Sequence, residues 1–270
     1  MRRRVAPIAF GLTAAWLAAL CASAQAITLR YTPKVGTKVA YDYTVSSTGE
    51  TALGGTNGVP MQSTTHMTTT LTVLAKTPQG VRVEMARRNG SLSTSAPGWK
   101  SPMTRKLPDR AGTLVLDERG QTQQAGQDPK AAAMSDDLLK MTGFSVLPRK
   151  DVKPGDTWSD TLETTGRGAA PAMKMAFTSR LVGLTTRQGR RCAKISTTFK
   201  GTMTGAEGPG TGNVQGSAVQ YYDYEKSLWV EAEAKMTETI TVPPRQTKDG
   251  GKTRGSSFVM KSTATTKLKK

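Results

Sequence analysis

The stretch LPRKDVKPGDTW, Leu147 to Trp158, lies near the middle of the 270-residue chain and marks the point where a sequence pattern begins again. Pro154 and Gly155 predict a turn, and the Asp156 side chain can cap it. Trp158 then opens a strand, where a large aromatic side chain can anchor the packing of two halves of a protein. We interpret Pro154, Gly155, Asp156 and Trp158 as a structural joint.

The chain on both sides of this joint has the texture of β-structure. Short runs of alternating apolar and polar residues are separated by Gly, Pro and Asn, which is typical of strands with one buried face. The longest such run begins at Leu228 and reaches Val242 before Pro243-Pro244. We predict a mainly β fold of antiparallel meander sheets, with two related halves forming one curved sheet, an open barrel or a sandwich, and one helix between the halves.

The two halves repeat three features in the same order. Each has a turn glycine before its first strand, a glycine-containing turn between its next two strands, and an aspartate that opens a tight turn; the matched pairs are Gly36 and Gly155, Gly80 and Gly189, and Asp117 and Asp223. Matches in one order, with length differences confined to loops, indicate a duplicated meander. A chance match of generic strand and turn texture is the alternative.

Asn89-Gly90 is the strongest hairpin signal in the first half. Both residues tolerate a positive φ, so the dipeptide favours a two-residue turn. We predict that the strand containing Val81 to Met85 ends there and that Ser91 to Ser95 returns beside it.

A single helix is predicted at Asp128 to Met141, with Asp128 as its cap, Pro129 in its first turn and Gly143 beyond its end. Its apolar stripe can pack on the sheet. Because a ligand held between helix and sheet would touch the same stripe, we expect ligand contacts there, from Met134, Leu138 and Met141.

The N-terminus has the form of a secretory signal peptide. Arg2 to Arg4 form a basic region, Val5 to Leu20 an apolar core, and Ala24-Gln25-Ala26 a small-residue cleavage site. We predict four segments: a signal peptide at 1–26, a first β-rich half at 27–127, a helix and connection at 128–146, and a second β-rich half with a basic tail at 147–270.

The signal peptide predicts that the protein is located in the periplasm, the cell envelope or the extracellular space. Cys21 raises the alternative of a lipid anchor, but Leu20 departs from the small residue expected before a lipidated cysteine. Without Cys21, Cys192 is the one remaining cysteine, so the fold must rest on its core rather than on a disulfide. Cys192 follows two arginines, which could activate it, but its strand alternation favours a buried position.

The chain is strongly basic, with a formal charge of +18 that falls to +15 without the three leader arginines. Such a charge attracts anionic partners. Only 6% of the residues are aromatic, and they do not alternate with the basic clusters, so we expect no nucleic acid partner. An anionic envelope polymer, a lipid or amphiphile, and peripheral membrane contact remain as expected partners.

The sequence contains few residues or motifs that are typical of a catalytic site. His66 is the only histidine, and no metalloprotease, hydrolase-elbow or calcium-loop motif is present. We therefore expect no catalytic, metal-binding or cofactor-binding residues and no cofactor. One functional hypothesis, beside the two non-enzymatic ones given below, is an enzyme that uses carboxylates such as Asp156 and Asp160.

Three stretches, VGTKVAYDYTV, LPRKDVKPGDTW and YDYEKSLWVEAEAKMTETI, together resemble a family of uncharacterised exported bacterial β-proteins, a domain of unknown function. The resemblance covers most of the mature chain, and VKPGDTW is its most specific part. It implies export to the envelope, often as a lipoprotein, and no established activity. In outline, an exported sheet with one helix is also similar to periplasmic lipoprotein and lipid carriers of the Lol type, an architectural comparison.

Two non-enzymatic functions follow. The first is an exported envelope protein that binds an apolar or amphiphilic ligand in the concavity of its sheet. Its motivation is the predicted helix and the twelve methionines, whose flexible side chains adapt to apolar ligands. The alternative is a structural or interaction module that docks on anionic envelope polymers or on another envelope protein.

Overall fold

The computed structural model describes residues 25–53, 58–123, 138, 141–142, 146–164, 172–204, 211–243 and 255–269. Within them it shows one antiparallel sheet of twelve strands. The strands are β1 (Lys38–Leu53), β2 (Val59–Thr77), β3 (Gly80–Ser95), β4 (Met103–Lys106), β5 (Arg110–Leu116), β6 (Thr122–Gln123), β7 (Thr157–Thr164), β8 (Ala172–Arg187), β9 (Arg190–Thr204), β10 (Thr211–Asp223), β11 (Leu228–Val242) and β12 (Ser256–Leu268).

This sheet confirms the mainly β, antiparallel meander predicted from the sequence. Its strand order is β6-β5-β3-β2-β1-β12-β11-β10-β9-β8-β7, with β4 added beside β3. No ladder joins β6 to β7 in the described residues, so the sheet is not closed into a barrel. Of the predicted helix, Leu138 and Met141 are described and helical, whereas Met134 and the capping residues lie outside the described residues.

The two halves begin with the same backbone hydrogen bonds. The amide of Gly36 donates to the Val73 carbonyl (2.9 Å), and the Val73 amide returns a bond to the carbonyl of Thr37 (2.8 Å). In the second half, Gly155 donates to the Leu181 carbonyl (2.8 Å), and Leu181 returns a bond to Asp156 (3.0 Å). Both glycines have positive φ, 83° and 99°. The turn before β1 is therefore repeated before β7.

The repetition continues along each half. The pairing of β2 with β3 and the pairing of β8 with β9 each contain a register shift at one extra residue, Leu74 and Val182 respectively, and both side chains are exposed. Asp117 and Asp223 each accept two backbone hydrogen bonds across the turn that follows. These matches relate β1, β2, β3, β5 and β6 to β7, β8, β9, β10 and β11, and leave β4 and β12 without counterparts among the described strands.

The predicted hairpin at Asn89-Gly90 is wrong. Asn89 has a positive φ of 54°, but β3 runs on through it to Ser95. The register against β2 shifts there, so that Asn89 and Gly90 face the single residue Met67. The dipeptide forms a β-bulge, because the strand continues beyond it: β2 pairs with β3 before and after the dipeptide, as do β5 before it and β4 after it.

One face of the sheet, here called the inner face, surrounds a common core. Residues of both halves meet in it, including Val83 and Leu116 from the first and Leu181 and Ile195 from the second. Because these strands stand far apart in the sheet order, the sheet must curl to bring them together. The opposite, outer face is mostly polar, as the alternation predicted.

The segment before β1 lies in this core. Tyr31 and Trp229 have ring centroids 4.9 Å apart, and Tyr222 meets Trp229 edge to face at 5.5 Å. The Tyr222 hydroxyl donates to the Arg30 carbonyl (2.5 Å). The N-terminal segment therefore fixes one end of the curled sheet, which we call the closed end.

The two edges of the sheet meet at the closed end through what we call the side-chain seam: Arg119, Val146–Val152, Trp158 and Asp160. Arg119 forms an ion pair with Asp160 on β7 (2.5 Å) and donates from Nε to the Leu147 carbonyl (2.9 Å). Trp158 donates from Nε1 to the Val146 carbonyl (2.6 Å). The seam joins the turn after β5 to β7 without strand pairing.

Candidate ligand-binding surfaces

The methionines of the strands share one face. Cross-strand pairing and strand alternation place on the inner face all nine that lie on described strands: Met61, Met67, Met85, Met103, Met173, Met175, Met203, Met236 and Met260. Methionine is unbranched and polarizable and fills irregular apolar spaces. A face with this composition suits a ligand of variable shape.

The buried fraction of the inner-face methionines decreases along the strands, away from the closed end. Met85 and Met175 are fully buried. Met61, Met173, Met203, Met236 and Met260 are half-buried. Towards the end opposite the closed end, called the open end, the inner face thus offers apolar side chains that the described residues cover only in part.

The inner-face residues at the open end form two adjacent rows across the strands; most are half-buried, Gly212, Met175 and Val214 are buried, and Glu238 is the one charged member. The outermost row is Met173, Met203, Gly212, Ile240 and Phe258. The next row is Met175, Gly201, Val214, Glu238, Met260, Gly49 and Met61. We call these two rows the methionine surface.

Glycines let the large side chains of this surface lie close to the backbone. An added Cβ on Gly201 would stand 2.7 Å from Met175 Cγ, and one on Gly49 would stand 3.0 Å from the ring of Phe258. Gly212 is likewise beside Met203. The glycines therefore make room for neighbouring Met and Phe side chains on the inner face.

The ligand-contact residues predicted on the helix lie elsewhere. Leu138 and Met141 are 2% and 3% exposed within the main core, and Met134 lies outside the described residues. The strand methionines were not identified as a site from the sequence. Their signal was alternation, as in Met173 and Met175, but only strand pairing shows that different strands present methionine on the same face.

The residues of the joint are held by local contacts. The Asp156 carboxylate accepts from the Lys153 amide (3.0 Å), and Trp158 is half-buried against the core. A hollow of about 520 Å³ lies beside them, lined in part by Arg119, Arg149 and Trp158. Asp160 is engaged with Arg119 in the side-chain seam.

The other candidate residues lie apart from one another. His66 is exposed on the outer face, 2.9 Å from the Thr44 hydroxyl. Cys192 is fully buried, and burial, with a smaller contribution from Asp223, raises its pKa to about 11. Its thiol is thus protonated at neutral pH, which disfavours a nucleophilic role.

No described helix has the length and apolar character needed to cross a bilayer. No three His, Cys, Asp or Glu side chains in the described ranges are grouped so that they could hold a metal ion.

The outer face carries a groove of about 1030 Å³ that crosses β8, β9, β10, β11, β12 and β1. Half of its described lining residues bear hydroxyl groups, and the lining also includes Lys200, Lys235 and Lys261. Most of these positions alternate with those of the methionine surface, so the groove lies mainly on the opposite face of the same strands; Phe199, Gly216, Met236 and Ser262 are inner-face positions within its lining.

No family model and no curated protein matches this chain. Solved structures with a similar arrangement include one of lipid–protein interactions in lipovitellin (TM-score 0.44, 12% identity over 88% of this chain). This chain spans 25% of that lipovitellin chain.

Two bacterial structures are also similar. An outer membrane channel from Pseudomonas putida F1 has a TM-score of 0.32 and 10% identity, over 88% of this chain and 98% of the channel. A LolA superfamily protein from Nitrosomonas europaea has a TM-score of 0.15 and 8% identity, over 83% of each chain. No TM-score of the three reaches 0.5, and the function proposed for this chain rests on its own residues.

Proposed function

We propose that this protein is an exported, non-enzymatic envelope protein that binds the acyl chain of a lipid or other amphiphile on the methionine surface. The observation that carries the proposal is the alignment of half-buried Met, Ile and Phe side chains in two rows on the inner face. Burying that apolar area against a hydrocarbon chain is favourable, by roughly 25 cal/mol per Å².

The surface suits a flexible chain better than a rigid, precisely shaped ligand. Met173 and Met203 pair directly across β8 and β9, and Ile240 and Phe258 pair across β11 and β12. Gly212 on β10 lies between these two pairs and has no side chain. An extended hydrocarbon can therefore cross several strands along this row. Methionine side chains can adjust to acyl chains of different length.

Export is part of the proposal, because the leader-like residues Arg2 to Ala26 would direct the chain to the compartment where such lipids travel or reside. Protein purified from native envelopes should have the intact mass of a chain that starts at Ile27. Organic extraction of that protein should release lipid. A chain that retains its leader would contradict export, and a lipid-free protein would contradict ligand binding.

Binding is tested with a fluorescent fatty-acid probe and two neighbouring variants. Met203→Gln places an amide in the outermost row of the methionine surface, whereas Thr202→Gln makes a comparable change on the outer face of the same strand. We expect Met203→Gln to weaken probe binding about fivefold or more, since a half-buried apolar side chain contributes on the order of 1 kcal/mol.

Thr202→Gln should leave the affinity unchanged. Thermal unfolding of both variants controls for lost structure. Equal effects of the two changes at equal stability, or no probe binding by the wild type, would refute the methionine surface as the binding site.

A further inference from the structure

The outer-face groove has a one-sided charge. Its three lysines, Lys200, Lys235 and Lys261, are exposed, and none of the described residues that line it is an aspartate or glutamate. Lys235 stands 3.7 Å from Glu233, a loose pair in which both side chains are exposed. Within the described part of the chain, no carboxylate lies within 4.0 Å of the ammonium groups of Lys200 or Lys261. The groove therefore presents positive charge to solvent.

The lysines are spread along the groove. Lys200 on β9 and Lys261 on β12 belong to one cross-strand row, which runs through Gln215 and Thr237. Three strand spacings separate them, or about 14 Å. Lys235 lies in the adjacent row on β11. Charges at such intervals match an extended polyanion better than one compact phosphate.

The floor between the lysines is rich in hydroxyl and amide groups, from Thr48, Thr178, Thr198, Gln215 and Ser217. Such groups both donate and accept hydrogen bonds, so they can bind sugar hydroxyls as well as carboxylate oxygens. Their polarity makes this floor unlike the apolar inner face behind it.

The groove fits a polysaccharide better than a nucleic acid or a bilayer. Nucleic acid grooves usually offer aromatic rings on which bases stack. Phe199 is the aromatic residue of the lining, and its ring packs on the inner side, where a Cβ on Gly216 would stand 2.5 Å from it. A bilayer surface is too flat to follow a concave groove, whereas a single extended chain can lie in it.

We propose that this groove binds a segment of an acidic polysaccharide, with uronate-type carboxylates paired to Lys200, Lys235 and Lys261 and sugar hydroxyls bonded to its floor. The site stands on the face opposite the methionine surface and does not depend on lipid binding there. The protein would then hold an anionic glycan on its outer face.

The test measures binding of a polygalacturonate oligomer to the full chain by isothermal titration calorimetry at low salt. We expect the triple change Lys200→Gln, Lys235→Gln and Lys261→Gln to weaken binding about tenfold, as the summed effect of three exposed charge contacts. Added salt should weaken wild-type binding, because it screens such contacts.

A matched triple change separates the groove from the general positive charge. Lys38, Lys76 and Lys106 are exposed strand lysines outside the groove, and changing all three to Gln removes the same charge. We expect this control to retain at least half of the wild-type affinity. Equal weakening by both triples would show general attraction by net charge and would overturn the proposal.

A second variant blocks the groove without changing charge. Ser217 is exposed on its floor, and Ser217→Trp would fill the groove while leaving the three lysines in place. We expect it to abolish binding of the oligomer and to leave fatty-acid binding unchanged. Wild-type affinity for polygalacturonate in this variant, or no binding by the wild type at low salt, would overturn the proposal.

Discussion

The two repeats of this protein are joined in two different ways. At one junction β12 stands between β1 and β11 and pairs with both along most of its length, which forms what we call the ladder seam. At the other, the side-chain seam, no described strand stands between β6 and β7, and the contacts depend on Arg119, Asp160 and Trp158. In the ladder seam many backbone hydrogen bonds hold the two repeats together, whereas in the side-chain seam most of the contacts come from a few side chains.

This difference teaches where single substitutions should matter. A backbone ladder persists when one side chain is changed, because each of its hydrogen bonds contributes only about 1 kcal/mol and its neighbours remain. The side-chain seam has fewer contacts: one ion pair and one indole, with a backbone bond from the Leu147 amide to the Arg119 carbonyl (3.1 Å) and a long hydrogen bond from Gln121 to Asp160 (3.4 Å). We therefore expect large effects at the side-chain seam and small effects at the ladder seam.

The largest effect is expected for Arg119→Met. Arg119 is 7% exposed. Its replacement removes the ion pair with the Asp160 carboxylate and the hydrogen bond that Arg119 donates to the Leu147 carbonyl. Removing one partner of a buried pair costs about 3 kcal/mol or more. Urea denaturation followed by circular dichroism should show this decrease in the free energy of unfolding.

The ladder seam supplies the control for Arg119→Met. Ser262 on β12 bonds to the Ser47 hydroxyl on β1 (2.8 Å), and Ser262→Ala should cost about 1 kcal/mol or less. The double change Arg119→Met with Asp160→Leu should be less destabilising than Arg119→Met alone, because it removes the uncompensated charge. A loss below 1 kcal/mol in Arg119→Met would refute the dependence of the seam on this pair.

A smaller effect is expected for Trp158→Ala. The indole is half-buried against the core and donates to the Val146 carbonyl, so its removal should lower the free energy of unfolding by about 2 kcal/mol. Trp158→Phe keeps most of the ring and removes only the donor, for a cost of about 1 kcal/mol.

Ser159→Ala, at an exposed neighbour of Trp158, should be nearly neutral. Circular dichroism is the measurement of choice, because removing a tryptophan also changes the intrinsic fluorescence. If Trp158→Ala unfolds at the same urea concentration as the wild type, the indole does not anchor the seam.

The sequence predicted the features that depend on near neighbours. Alternation gave the strands, and Gly36 and Gly155 gave the repeated turns, because each signal lies within a few residues. The Asn89-Gly90 bulge was misread because the dipeptide suits a turn and a bulge equally, and the partner strands of β3 decide between them.

The seam and the methionine surface depend on distant residues. Arg119 meets Asp160 only when the sheet curls, and no local pattern relates the two. Met203 and Ile240 each alternate correctly in their own strands, but a shift of one residue in pairing would put them on opposite faces. The composition therefore indicated adaptable apolar binding, whereas the place of the site required the register.

The smallest effects compare the two seams directly, through the turn glycines that precede β1 and β7. Gly36→Ala and Gly155→Ala place a Cβ at positive φ with no atom within 4 Å, so each should cost only the conformational strain of about 1 kcal/mol. Gly183→Ala is the control, since it also meets open space but has no φ in the left-handed region; its effect should be near zero.

Equal losses in Gly36→Ala and Gly155→Ala, measured by urea denaturation, would show that the repeated turns are equivalent in energy as well as in hydrogen bonding. The turn of Gly36 leads into β1, which the ladder seam holds on β12, whereas the turn of Gly155 leads into β7 at the side-chain seam. A loss for Gly155→Ala that is twofold or more larger than for Gly36→Ala would contradict this equivalence. It would mean that strain at the turn spreads into the side-chain seam, because no ladder beyond β7 resists it.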